Sequence, residues 1–295
     1  MPYASLEQQR KMLASKPYVK PTRLLDSMQI ITDLIYLASD TCEGRRPGTN
    51  GHALAMQRLL WRMREAGVDS FENSLVSDFT AKQINGTTDG KNIIGWVKGT
   101  KYADSFMVVS AHYDHMGKRE TNTFYGADDN ASGAACLVAM AKYFKKRPHK
   151  YSLVFAALDR EEVGLEGAYA LVKQFNAANR NIVFNLNMDM IARSDKNEIF
   201  ASGLSHNPSY KYLIDEIQAK TNVKLLMGHD TGNDINDWTM QSDHAAFHKA
   251  KIPFLYIGVE DHPDYHRPSD TWDKVNFSGY IENCNMITMM IKAIR

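Results

Sequence analysis

Cysteine is scarce in this chain: Cys42, Cys136 and Cys284 are far apart, and none belongs to a Cys-x-x-Cys pair. Their spacing argues against a disulfide framework and a thiolate metal site. Long apolar runs are missing as well, none approaching the roughly 20 residues of a membrane helix. The opening stretch MPYASLEQQRKMLASK lacks the apolar centre of a secretion signal. The expectation is therefore a cytoplasmic protein if Met1 is native, or an exported one if a signal has been removed. Excess charge is absent too: 35 basic side chains face 34 acidic ones. No broad field recruits nucleic acid or an anionic membrane, so neither is an expected partner.

What is present is a pattern of alternating elements. Helical periodicity marks 23–39 and 51–67, with Asn50 as a candidate N-cap and Gly67 as a stop. A polar region follows, where Asn85-Gly86 and Asp89-Gly90 signal turns between strand-like runs. Short apolar runs then alternate with helix-length segments: strands at 106–111, 152–158, 181–188 and 252–259, helices at 131–147, 166–176, 208–219, 243–250 and 277–293. Runs apolar on both faces and separated by helices predict an α/β fold, a three-layer αβα sandwich around a mixed, largely parallel sheet. No repeat or linker interrupts the chain, so a single domain over 1–295 is expected, residues 1–50 forming a helical lead-in packed on it.

In open α/β sheets functional groups gather at the C-terminal strand ends. Here FMVVSA runs into HYDH, SLVFAAL into DREE, NIVFNLNM into Asp189 and IPFLYIGV into EDHPDYHRPSD, while GADDN opens the helix at 131–147. Carboxylates crowded in this way repel one another and need protons or cations. His and carboxylate donors without thiolate suit zinc, with cobalt or manganese as substitutes. In an extended segment His112 and Asp114 point to one side, so that the Asp114 carboxylate can brace one imidazole nitrogen while the other meets a metal. Singly, each cluster has an ordinary explanation: His-x-Asp as a hydrogen bond, adjacent Glu as solvated surface, paired Asp as a helix-start feature.

Together the motifs SAHYDH, GADDNASGAA, LDREEVGLEGA, NLNMDM, SDHAAF and YHRPSDT, in that order from about Leu37 onward, resemble the M28 zinc aminopeptidases. The resemblance implies a zinc-exopeptidase-like sandwich with a pair of zinc ions. It makes His112 and Asp189 ligands of one metal, Glu162 and His266 ligands of the other, and Asp129 the bridging carboxylate, followed by a cis Asp129–Asn130 peptide. It leaves Glu161 as general base toward a metal-activated bridging water. Asp114 and Tyr265 join it as catalytic candidates, Tyr265 either helping to hold the oxyanion or packing. His115, His244, His248 and His262 receive no role, and the arginines of CEGRRPG none beyond packing or ion pairing.

The substrate implied is a peptide with a free N-terminus, its first side chain in an apolar pocket for which Leu226, Met227, Trp238, Met240 and Phe247 are candidates. Core packing is the ordinary alternative for each of these. Three rival readings stand beside the aminopeptidase: a glutaminyl-cyclase-like acyltransferase with one zinc; a carboxypeptidase or amidohydrolase relative using Arg193 or Arg267 to hold a substrate carboxylate; and a non-catalytic receptor-like domain, which would be expected to have lost ligands.

Overall fold

A computed structural model describes residues 3–83, 86–194, 196–232 and 236–295. Its helices are α1 (Leu6–Ala14), α2 (Ser27–Leu37), α3 (Asn50–Ala66), α4 (Gly133–Lys146), α5 (Glu166–Ala177), α6 (Lys211–Gln218), α7 (His244–Lys249) and α8 (Phe277–Ala293). The strands begin with β1 (Asp69–Ser70), β2 (Val76–Gln83), β3 (Gly86–Val97) and β4 (Tyr102–His112), then a small ribbon of β5 (Gly117–Arg119) and β6 (Asn122–Phe124). They continue with β7 (Tyr151–Leu158), β8 (Asn181–Met188), β9 (Glu198–Ser202), β10 (Lys224–Met227) and β11 (Phe254–Gly258).

Outside the β5–β6 ribbon the strands form one sheet, ordered β3-β7-β4-β8-β11-β9-β10, with β1 and β2 along the outer edge of β3. The central strands β7, β4, β8 and β11 are mutually parallel. On one side β3 runs antiparallel to β7, and on the other β9 runs antiparallel to β11 and parallel to β10. The sheet is therefore mixed, with a parallel centre covered on both faces.

Alternation along the strands decides which layer each residue joins. Met107, Val109 and Ala111 enter the larger core beneath α2, α3, α4 and α8, whereas Phe106 and Val108 join Val154, Ala156 and Leu158 beneath α5 and α7. Each fully buried Val, Leu or Phe contributes about 1.5–3 kcal/mol. A one-residue slip would exchange the two faces, so burial pins the register that aligns the strand ends. At the far edge α1 covers Phe200, Leu226, Trp238 and Tyr256 with Leu6 and Leu13. The Gln9 amide there takes the place of a neighbouring strand, donating to Met227 O at 2.9 Å and accepting from Met227 N at 2.8 Å. Sheet edges left open in this way would otherwise offer unpaired backbone groups. Among the described residues no helix is long and apolar enough to cross a membrane.

Several local expectations are corrected. The N-cap of α3 is Thr49, whose Oγ1 accepts from His52 N, rather than Asn50. Asp89-Gly90 lies inside β3 instead of forming a turn: the Phe79 ring covers Gly90 so closely that a Cβ there would stand 2.2 Å from it. Asn85, first residue of the Asn-Gly turn signal, lies outside the described residues. The helix expected from 131 begins at Gly133, after a wide turn over Ala127–Ser132. Strands β9 and β10 are too short to stand out in the sequence pattern.

Candidate metal centre

The parallel strands β4, β7, β8 and β11 end at one edge of the sheet. His112 is the last residue of β4, Asp159 to Glu162 follow β7, Asp189 follows β8, and the loop carrying Tyr265 and His266 follows β11. The wide turn before α4 brings Asp129 among them. Asp129 Oδ1 lies 3.3 Å from His112 Nε2, and that nitrogen lies 3.2 Å from Asp189 Oδ1. Asp129 Oδ2 lies 3.1 Å from His266 Nε2, which lies 3.3 Å from Glu162 Oε2. Donors about 2.0–2.2 Å from one tetrahedral zinc ion stand roughly 3.3–3.5 Å apart. All five residues the resemblance implies as ligands are thus brought together, at spacings a pair of small cations sharing Asp129 would fit. His115 adds a further donor, its Nδ1 2.6 Å from Glu162 Oε1 and 3.7 Å from Asp129 Oδ2. Among the described residues, two clusters have donor atoms close enough for one ion: His112, Asp129 and Asp189; and His115, Asp129 and Glu162.

Electrostatics at this edge follow from burial and mutual charge. Burial alone would raise Asp129, but the imidazoles of His115, His112 and His266 hold it well below the usual carboxylate range. Burial and the Asp129 charge act upward on Glu162, and His115 and His266 outweigh them, holding it at about 2. His112 and His266 are raised despite burial, by Asp189 and Glu161 at the first and by Asp129 and Glu162 at the second, with His266 reaching about 10. Carboxylates without such partners move the other way. Burial, helped by Asp189, Asp243 and Glu162 against His112, pushes Glu161 well up. Burial likewise lifts Asp243 to about 8 and Asp114 to about 7. Carboxylates outnumber imidazoles here, an imbalance that favours cations.

The adjacent glutamates have separate surroundings. Glu162 engages His115 and His266, while the Glu161 carboxylate takes no hydrogen bond from any described residue. Asp114 sets this pair from behind, its Oδ1 accepting Glu161 N at 3.0 Å and its Oδ2 Glu162 N at 3.4 Å. Its carboxylate is 3.7 Å from His112 Nδ1, and its main-chain oxygen is nearer at 3.2 Å. The backbone of Asp114, more than its side chain, therefore faces the imidazole.

The crowded charges of GADDN each have a partner. Asp128 accepts from Ala192 N at 2.7 Å and has His262 Nε2 at 3.2 Å; burial still lifts it to about 6. Asn130 reaches the residues flanking Asp189, donating to Met188 O at 2.8 Å and accepting from Met190 N at 3.4 Å. The Asp129–Asn130 peptide is cis. Asp270, in the YHRPSD loop, accepts from the backbone N–H groups of both Asp128 and Asp129. That contact ties the His266 loop to the Asp129 turn.

Arg45 acquires a role its local sequence did not reveal. Fully buried, it donates five hydrogen bonds to carbonyls of Leu37, Tyr113, Tyr125, Gly126 and Asp129. One guanidinium thus joins the lead-in, the exit of β4 and the Asp129 turn. A clue lay in its place within CEGRRPG, although nothing local marks one of the two arginines as buried. His115 and Asp270 were visible inside the motifs but their partners are remote in sequence.

Tyr265 is half-buried and stacked on His266 at 3.9 Å between ring centres. Burial and the charges of Asp129, Asp189 and Glu162 raise its hydroxyl strongly. The apolar pocket candidates are dispersed. Phe247 belongs to the core under α7, Leu226 and Trp238 pack against α1, Met227 is partly buried, and Met240 is exposed. Arg193 is spent on Asp264, 2.5 Å away, which also meets Lys274.

Comparison with known proteins points to the same family. A probable zinc metalloprotease of Pyricularia oryzae is 33% identical over 120 residues, 39% of this chain and 23% of that protein. Aminopeptidase YwaD of Bacillus subtilis is 28% identical over 197 residues, 63% of this chain and 40% of that protein. The chain thus spans less than half the length of these curated relatives. A leucine aminopeptidase precursor and a glutaminyl cyclase of Bacteroides thetaiotaomicron share the fold, each at TM-score 0.74 and 17% identity, covering 94% of this chain and 100% of theirs. The model of peptidase family M28 matches residues 92–291, more than half of the sequence, and the chain belongs to that family.

Proposed function

We propose that the protein is a metallo-aminopeptidase that hydrolyses the first peptide bond of peptides with a free N-terminus, using two zinc ions. His112 and Asp189 would hold one ion, Glu162 and His266 the other, and Asp129 both. The ions would polarise the scissile carbonyl and make water a stronger nucleophile at neutral pH. The observation that carries the reading is the division of labour at Asp129 and the glutamate pair. Each Asp129 oxygen meets a different imidazole, and Glu162 is engaged while Glu161 beside it is uncommitted.

In this reading Glu161 takes the proton from the attacking water on a carboxylate oxygen and returns it to the leaving amine. Asp114 holds the backbone of Glu161 and Glu162 so that base and ligand keep a fixed offset. Surplus carboxylate charge around the centre suits the substrate ammonium. In this reading the hydroxyl of Tyr265, whose ring stacks on His266, would assist the developing oxyanion.

A glutaminyl-cyclase-like transferase shares the fold, but a full set of donors for two ions favours the hydrolase. A carboxylate-binding relative would need a basic group free for substrate: Arg193 is engaged with Asp264, whereas Arg267 forms no ion pair among the described residues, so N-blocked substrates test this reading directly. Free-amine and N-blocked aminoacyl reporters and an N-terminal glutaminyl peptide, assayed with metal content measured on the same sample, separate these readings. Cleavage of free amines alone, with two ions bound, is expected. Glu161→Gln is expected to keep both ions and lose about 10²–10⁴-fold in kcat. Equal cleavage of blocked substrates, cyclisation without cleavage, or a Glu161→Gln variant as fast as wild type would overturn the proposal.

A further inference from the structure

We propose that His115 is a positioning residue for the second ion: its imidazole anchors one oxygen of Glu162, leaving the other toward Asp129 and His266. This rests on the two-ion reading above and assigns a role to a buried imidazole which that reading does not use. His115 lies just beyond the end of β4, 1% exposed, with its backbone N–H donating to Arg45 O at 3.1 Å. Its ring fills the space above Gly126, where a Cβ would stand 2.6 Å from it.

The distances separate positioning from direct coordination. His115 Nδ1 is 2.6 Å from Glu162 Oε1. Two ligands of one tetrahedral zinc would be about 3.3–3.5 Å apart, whereas a charge-assisted N–H···O contact is about 2.7–2.9 Å long. The contact is therefore a hydrogen bond, and since a carboxylate only accepts, Nδ1 carries the proton. The other Glu162 oxygen, Oε2, is 3.3 Å from His266 Nε2, within the spacing of the second ion's donors. The two oxygens of Glu162 thus have different tasks. His115 Nε2 has no hydrogen-bond partner among the described residues. A metal-binding imidazole usually has its second nitrogen braced by a carboxylate or carbonyl, and His115 lacks that support.

Holding Glu162 by Oε1 fixes the rotation of the carboxylate and favours one-oxygen binding. Partners that orient a metal ligand typically change metal affinity by about 10–100-fold. The effect is expected chiefly in the second half, because His115 hydrogen-bonds Glu162 at 2.6 Å and only approaches the shared Asp129, whose Oδ2 is 3.7 Å away.

The test is stepwise zinc binding by the full chain, followed by calorimetry and chelator competition, for wild type, His115→Ala and His115→Asn. Asparagine retains an N–H donor near the position of Nδ1 and removes the imidazole. The expected result is a 10–100-fold weaker second ion in His115→Ala, an unchanged first ion, and substantial recovery in His115→Asn. An unchanged second ion in His115→Ala overturns the inference, as does equal weakening of both ions. Equal loss in the Ala and Asn variants shows that the imidazole itself and not an N–H donor is needed, which overturns the positioning role. Wild-type protein taking fewer than two ions overturns the function reading as well, so the two failures are distinguishable.

Discussion

The two ends of the Asp129 carboxylate face unlike surroundings. Oδ1 meets His112, which in turn meets Asp189; they are 1% and 8% exposed, at the ends of the neighbouring strands β4 and β8. Oδ2 meets His266, which in turn meets Glu162, both on loops, the His266 side chain 39% exposed. The first half inherits its geometry from a hydrogen-bonded sheet. The second depends on loop contacts: Asp270 on the Asp129 turn, Asp264 on Arg193 and Lys274, and His115 on Glu162. A single centre thus joins a rigid, dry half to an open one. On the proposed function, substrate would enter from the open half, where His266 reaches water.

The severest way to break the comparison is to remove the shared carboxylate. Asp129→Ala is expected to abolish binding of both zinc ions and all detectable hydrolysis; one full-occupancy ion in metal analysis would show that the halves do not depend on it. Next comes Arg45→Met, which leaves five carbonyls at the junction of lead-in, β4 exit and Asp129 turn without their donor. Each buried unsatisfied group costs about 1–3 kcal/mol. Partial relaxation leaves an expected loss of about 3 kcal/mol in urea unfolding, and a loss below 0.5 kcal/mol would contradict that clamp.

A gentler measurement sharpens the comparison itself. Under limiting chelator the zinc of the Glu162–His266 half is expected to leave first, roughly 10-fold faster or more, while that of the His112–Asp189 half remains. Simultaneous release, followed by a colorimetric indicator, would make the two halves equivalent. The smallest effect is expected at Tyr265→Phe. Losing one hydroxyl toward the oxyanion is expected to lower kcat by less than the roughly 10²–10³-fold of a principal oxyanion donor, because the metal ions would carry most of that charge, with KM nearly unchanged; no change at all would leave the ring with packing against His266 alone.

Where the fold was legible, the signal was strong and local. The runs 106–111, 152–158 and 181–188 fall within β4, β7 and β8 because they are apolar on both faces, and only the covered centre of a sheet accepts such segments. Strands β9 and β10 were not legible: EIFAS and KLLM are short, and their burial depends on α1 and on pairing with β11. The Asp89-Gly90 turn signal failed for a related reason, since Gly90 answers to the Phe79 ring across the strand pair. Phe247, a reasonable pocket residue by composition, lies in the core because α7 turns it toward the sheet.

The candidate site divides along the same line. Sequence by itself determined the residue types and the strand ends that would deliver them, since apolar periodicity and the polar residues terminating it are short-range properties of the chain. Tertiary structure alone decided that Asp129 presents one oxygen to each imidazole, that Glu161 is left uncommitted beside an engaged Glu162, and that Arg45 and His115 serve this edge. Those outcomes depend on differences of a few tenths of an ångström in the distances between residues tens of positions apart. Sheet register and loop packing set such distances, and no local pattern encodes them.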